Sequence, residues 1–245
     1  MTTSGAETAA APSRKARPRA PRKLHAYFVI FTAVFASLVI AGFSRSFFIP
    51  VFQGAFVRPL IVHVHGALFF GWTLLLVAQA VLAATRRLRL HRAVGSVGAW
   101  LVLPMLVMGT VVAAADSVHD YRAGEGDAAL TFFYGELADL AMFGLLAGGA
   151  MLLRRKPEFH KRWVIMGSLG LLGAAMGRIP EIRSSVDLIL LALMTSVAVY
   201  DLASRRSLHM ATLIGAVTLL VLNRTEEVIG STPMWLNMAH RLLRL

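Results

Sequence analysis

The sequence predicts an all-α fold: a polytopic membrane helix bundle of about seven transmembrane helices, with the N-terminus cytoplasmic and the C-terminus outside. Three observations predict it. The 245 residues are 57% hydrophobic with a mean hydropathy of +0.65, more apolar than a soluble chain of this length. The apolar residues fall into runs close to the ~20 residues that cross ~30 Å of hydrocarbon. The basic residues, which give a net charge of +12, are gathered in short clusters between alternate runs. That arrangement marks cytoplasmic loops, so the charge points to a membrane and not to nucleic acid.

In chain order, residues 1–23 are rich in Ala, Pro, Ser, Thr and Arg without apolar periodicity and read as a disordered basic cytoplasmic tail. The apolar run that follows is too long for the core of a signal peptide, so it reads as an uncleaved first span. Spans are expected at about 24–43, 60–84, 93–115, 129–153, 163–177, 186–202 and 208–222, making a transmembrane bundle over 24–222. The fifth and seventh are short, and the count becomes six if one of them is re-entrant. Arg86, Arg87, Arg89 and Arg92, then Arg154, Arg155, Lys156, Lys161 and Arg162, then Arg205 and Arg206 all fall on one side of seven alternating spans. That side is expected to be cytoplasmic. Residues 223–245 read as an outer segment, amphipathic from 233, that lies on the membrane interface.

Histidines and carboxylates mark the places where chemistry is expected, because polar side chains at membrane depth are costly. The stretch Ile61-Val62-His63-Val64-His65-Gly66 opens the second span, and His65, Trp72 and Gln79 follow at intervals of seven, a single helical stripe. His63 lies about 200° away from His65 and faces elsewhere. Leu90-His91-Arg92 opens the third span, Phe159-His160-Lys161-Arg162 the fifth and Leu208-His209 the seventh, a weak internal repeat. His91, His160 and His209 thus stand at the cytoplasmic ends of alternate spans, where imidazoles can converge on a metal or a haem iron. Their bland alternative is a set of interfacial histidines bonded to helix ends or lipid phosphate. Gly95, Gly98 and Gly109 share a face with His91 and suit close helix packing or a flat ligand. Glu136 and Asp139 lie on one face of the fourth span, with Arg178 as the expected counter-ion; the set reads as a proton or ion pathway or as a structural ion pair. Asp116 to Asp120 reads as a solvated outer loop. The chain has no cysteine, which excludes disulfides and thiolate ligands, and it carries no nucleotide or soluble-hydrolase motif.

The His-x-His-Gly, Leu-His-Arg and Phe-His-Lys-Arg-Trp segments, between about residues 60 and 183, resemble those of a family of uncharacterised bacterial multi-spanning inner-membrane proteins. More distantly, the His-Gly…Trp span and the His-opened helices are similar to the haem-bearing helices of four-helix b-type cytochromes. That resemblance implies b-type haem held by His65, His91 and His160, and electron transfer with quinol as a partner. Its departure is a missing second outer ligand, which leaves a single haem between His91 and His160. Alternative expectations are a small proton- or ion-coupled transporter of a small-molecule substrate acting through Glu136, Asp139, Arg178 and Gln79, a zinc-dependent intramembrane hydrolase built on His91, His160 and His209, and a lipid-embedded membrane scaffold or assembly factor with only structural ion pairs.

Overall fold

The structure, a computed structural model, describes residues 22–55 and 57–245, and no strand occurs among them. The expected tail lies outside the described residues apart from its last two. The first apolar run forms α1 (Arg22–Phe43), which passes through a π-helical turn at Ser44–Phe48 into the short α2 (Ile49–Phe52). Next come α3 (Leu60–Ala84) and α4 (Leu88–Asp120), the latter carrying Pro104 within the helix. Gly124 and Gly126, both at positive φ, turn the chain into α5 (Asp127–Phe143). A second π-helical turn at Gly144–Gly148 leads to α6 (Gly149–Leu152). The fifth expected span is two helices, α7 (Pro157–Gly170) and α8 (Leu172–Met176), with Pro157 at the start of α7, where its missing N–H costs nothing. Then follow α9 (Val186–Arg205), α10 (Met210–Ile229) capped by the His209 side chain, and α11 (Pro233–Leu243) capped by Thr232.

The continuous rod α7–α8 is the axis of the bundle. Arg162, Met166, Leu169, Leu172 and Met176 along it have no exposed surface. Helices α5, α9 and α10 pack on α7, α1 packs on α8, and α3 reaches the rod through a hydrogen bond from the Trp72 indole to Ser168 at 3.0 Å. Helix α4 stands outside, closing the gap between α3 and α5. Close approach is possible because the axis carries glycine. A Cβ on Gly167 would come within 2.6 Å of the Ala147 backbone nitrogen, so only glycine lets α7 lie against the end of α5. Gly42 of α1 meets the Ala175 carbonyl of α8 in the same way.

Clusters of basic residues share one end of this bundle. The rings of His91 and His160 lie 6.5 Å apart, and Arg205 reaches Glu158 at 3.4 Å, so the α3–α4, α6–α7 and α9–α10 junctions are neighbours. At the opposite, acidic end, Arg178 sits over the Phe43 ring at 4.8 Å, the Thr131 hydroxyl donates to the Gly230 carbonyl at 3.0 Å, and His240 meets Asp127 at 3.2 Å. The axis rod and α10 therefore both run the length of the bundle. Among the described residues, five helices are long and apolar enough to cross a membrane: Ala26–Phe52, Leu60–Ala84, Leu88–Glu125, Asp127–Leu152 and Arg183–Arg205. The fifth and seventh expected spans are not among these. α7–α8 meets its neighbours on nearly every side and so needs little apolar surface of its own, while α10 carries Asn223, Arg224 and Glu226 in its last turns. α11 lays Trp235 against the start of α5, its indole donating to the Leu130 carbonyl at 2.8 Å, and turns Met234, Met238 and Leu242 outward.

An ion pair joins three helices at the basic end. Arg162 of α7 and Asp201 of α9 are both fully buried; the Arg162 Nε donates to Asp201 Oδ1 at 2.9 Å and a second nitrogen donates to the same oxygen. The other Asp201 oxygen accepts from the His209 backbone N–H at 2.9 Å and from the Thr212 hydroxyl. Glu158 takes the remaining Arg162 nitrogen at 2.7 Å. Every charge is satisfied, which a pair removed from water requires. Asp201→Ala leaves the guanidinium unpaired, and its detergent-purified form should lose about 3–5 kcal/mol of stability in thermal unfolding. Replacing both partners by apolar residues, Arg162→Met with Asp201→Leu, should restore most of that loss. Burial pushes the Glu158 carboxyl up, but hydrogen bonds from Lys161 and Arg162 outweigh it and hold the group below its ordinary 4.5. Its folded pKa is the lower one, so its contribution is present at neutral pH and lost as pH falls below about 4.5. Glu158→Gln should therefore be less stable than the parent at pH 7, with the gap closing as the sample is acidified.

Candidate functional site

A cavity of about 210 Å³ lies at the acidic end, in the space between α4 and the axis rod. It forms because α4 packs on α3 and α5 but stands away from α8, and because small residues face one another there: Gly109 and Ala113 from α4, Gly170 and Ala174 from the rod. One wall is aromatic, with Phe43, Phe47 and Phe48 from the end of α1 and Phe69, Phe70 and Trp72 from α3. Asp116, Glu136 and Asp139 also line it, with His65, Thr73 and Arg178 among the polar groups.

The sequence motifs explain how these groups come together. Seven-residue spacing turns His65, Trp72 and Gln79 to the bundle side of α3; the first two line the cavity, and Gln79 lies beyond it against Gly95. The His65 ring stacks on Phe69 with centroids 4.3 Å apart. Its Nδ1 is buried with no hydrogen-bond partner, and the same is true of Oε2 of Glu136. Glu136 and Asp139, three apart on α5, both reach the cavity, and the Asp139 carboxylate lies over Gly170 and Gly173. Arg178 does not clasp a carboxylate. Its guanidinium rests on the Phe43 ring, donates to the Ala174 carbonyl, and makes no salt bridge among the described residues.

The basic end holds the second group of predicted residues. His91 Nδ1–H donates to the Gln79 carbonyl at 3.2 Å, and His160 Nδ1–H to the Ala150 carbonyl at 2.9 Å. The two repeat segments thus do the same local job, each tying the start of one helix to the end of the helix before it. Burial pushes His160 below the ordinary histidine range, its bond to Ala150 pulling the other way, which favours the neutral ring that this hydrogen bond uses. His209 stands apart: its Nδ1 accepts from the Ala211 N–H and its ring packs on Phe159. No group of three His, Asp or Glu side chains is placed to hold a metal among the described residues. The glycine face beside His91 is filled, Gly95 by Gln79, Gly98 by Leu75 and Gly109 by Leu140 and Phe69.

Three groups were missed in the sequence. Asp116, expected in a solvated loop, is helical, because α4 continues to Asp120, and it lines the cavity. Asp201 ends an apolar run as Glu136 interrupts one, and that same signal would have found it. Glu226, assigned to an outer loop, lies on α10 with its carboxylate against Gly135 of α5. Comparison with protein families, with curated proteins and with solved structures finds no match to this chain.

Gln79 offers a direct check on how these polar groups are satisfied. Both atoms of its side-chain amide are buried without a partner, while its backbone carbonyl holds His91. A buried amide with nothing to bond costs about 1–3 kcal/mol by the protein mutational scale. Gln79→Met keeps the volume and removes the amide, so it should raise thermal stability by that order. A clear loss of stability would show that the amide holds something in the working protein.

Proposed function

We propose that this protein is an integral membrane carrier that binds a small molecule in the cavity at its acidic end and exchanges protons at Glu136 and Asp139 as the cavity is filled and emptied. The observation that carries the reading is the cavity itself. A void between helices is lined by three carboxyl groups and a guanidinium that makes no direct salt bridge with any of them among the described residues. Structural ion pairs close on themselves, as Arg162 and Asp201 do; these groups face an open space instead. Intramembrane carboxylates that face a cavity are the usual mark of a proton or substrate path. Asp139 belongs to α5 and faces the glycines of the axis rod, so a small shift of that rod would change its surroundings.

With the basic end cytoplasmic by the charge rule, the cavity opens towards the outside and the Arg162–Asp201 network closes the inner end. Because the chain has no cysteine, a single one can be introduced as a reporter. Ala174→Cys lines the cavity, and a membrane-impermeant maleimide added to intact cells should label it. Labelling should respond to pH, and Glu136→Gln with Asp139→Asn should remove the response. Labelling only from the cytoplasmic side, or none from either side, would overturn the reading.

A second reading rests on His91 and His160. Two imidazoles 6.5 Å apart, each anchored through Nδ1 on a backbone carbonyl, have the orientation that metal-bound histidines take. The donor chemistry suits a haem iron, whose contribution when bound would be one-electron transfer. The room does not suit a porphyrin, since the neighbouring glycines are covered by side chains of α3 and α5. Oxidised and dithionite-reduced visible spectra of protein purified from haem-replete cells decide the matter: the carrier reading expects no split α and β bands, and their appearance would favour haem.

A further inference from the structure

What the cavity takes can be read from its charge, its walls and its size. Asp116, Glu136 and Asp139 line it together with Arg178, three carboxyl groups and one guanidinium, so the fully ionised lining carries two negative charges in excess, to which Glu226 of α10 and Asp120 of α4 add theirs from nearby. Asp116 and Arg178 are exposed, whereas Glu136 and Asp139 are half-buried, and a sheltered carboxyl pair takes up a proton or a cation. The guanidinium is committed to the Phe43 ring and the Ala174 carbonyl. Glu136 Oε2 and His65 Nδ1, both buried and without partners, are acceptors for an N–H donor in the neutral-imidazole state.

The remaining lining is not that of an inorganic ion site. Phenylalanine rings from the end of α1 and from α3 line it as well, and no three acidic or histidine side chains converge tightly enough to chelate a metal among the described residues. Aromatic faces attract cations and cover hydrocarbon. The volume of about 210 Å³ is below the ~300–1,000 Å³ of pockets that hold drug-sized ligands.

We infer that the cavity binds a small organic monocation, an ammonium carrying an apolar or aromatic group, with its nitrogen between Glu136 and Asp139 and its hydrocarbon body against the phenylalanines. Its entry releases one proton from the carboxyl pair, so the charge of the site is unchanged and cation and proton move in opposite directions. The inference rests on the carrier reading for the role of the site but not for its occupancy.

Benzylammonium, benzyl alcohol and benzoate, nearly equal in size and different in charge, are the probes. Titration calorimetry on the full chain in detergent micelles should show saturable one-to-one binding of benzylammonium, with the neutral and anionic analogues at least ~10-fold weaker, a difference of about 1.4 kcal/mol. Benzylammonium binding should tighten as pH rises and release protons into the buffer. Glu136→Gln should weaken it ~10-fold or more. Arg178→Gln, at the cavity rim, should leave it equal or tighter and serves as the test if the Glu136 variant fails to fold. Equal binding of all three probes, a preference for benzoate, or no saturable benzylammonium binding overturns the inference. Binding of benzylammonium without any movement of it into proteoliposomes would instead overturn the carrier reading and leave the ligand class standing.

Discussion

The arrangement depends on how closely α7 and α8 can be surrounded. Glycines at 42, 167 and 170 let α1 and the end of α5 approach to backbone distance, and the resulting axis presents Met166, Leu169, Leu172 and Met176 to neighbours on every side. Interfaces of small residues are how helices associate where lipid offers no hydrophobic drive. With the axis fixed in this way, the helix that cannot also reach it, α4, leaves a gap. That gap is the cavity.

Polar groups at the two ends of the axis are handled in opposite ways. At the basic end, Arg162, Asp201, Glu158 and Thr212 form a closed network in which each charge has partners, and it pins the starts of α7 and α10 to the end of α9. At the acidic end, His65 and Glu136 keep buried atoms without partners, and Arg178 leans on an aromatic ring. A fully satisfied network stiffens a structure, whereas unsatisfied buried groups are costly and persist where a ligand or proton completes them. The contrast is why the proposed site is placed at the acidic end.

Much of the site was legible because helical periodicity is local. The spacing of His65, Trp72 and Gln79, and that of Glu136 and Asp139, was enough to say which faces turn inward, and the structure turns them so. The likeness of the two His-opened segments carried a shared local geometry, each imidazole donating to a carbonyl of the preceding helix. Pairing between helices was not legible. Arg178, the expected counter-ion of the α5 carboxylates, is close enough to Glu136 to interact with it electrostatically, but its direct contacts are the Phe43 ring and the Ala174 carbonyl. Arg162 was counted as a loop charge, and Asp201, its partner 39 residues on, drew no attention because a lone aspartate at a span end looks interfacial.

By itself the sequence determined the class of molecule: an all-helical chain with runs long and apolar enough to cross a membrane, basic clusters between alternate runs, and inward stripes on each helix. These follow from hydropathy and from the 3.6-residue turn, which act over neighbouring residues only. The tertiary structure decided which helix became the axis, that α4 stands off from it, and hence that Asp116, Glu136 and Asp139 share a space with Arg178 and a wall of phenylalanines. Those outcomes depend on which small residues meet across helices far apart in the chain, and no local pattern records that.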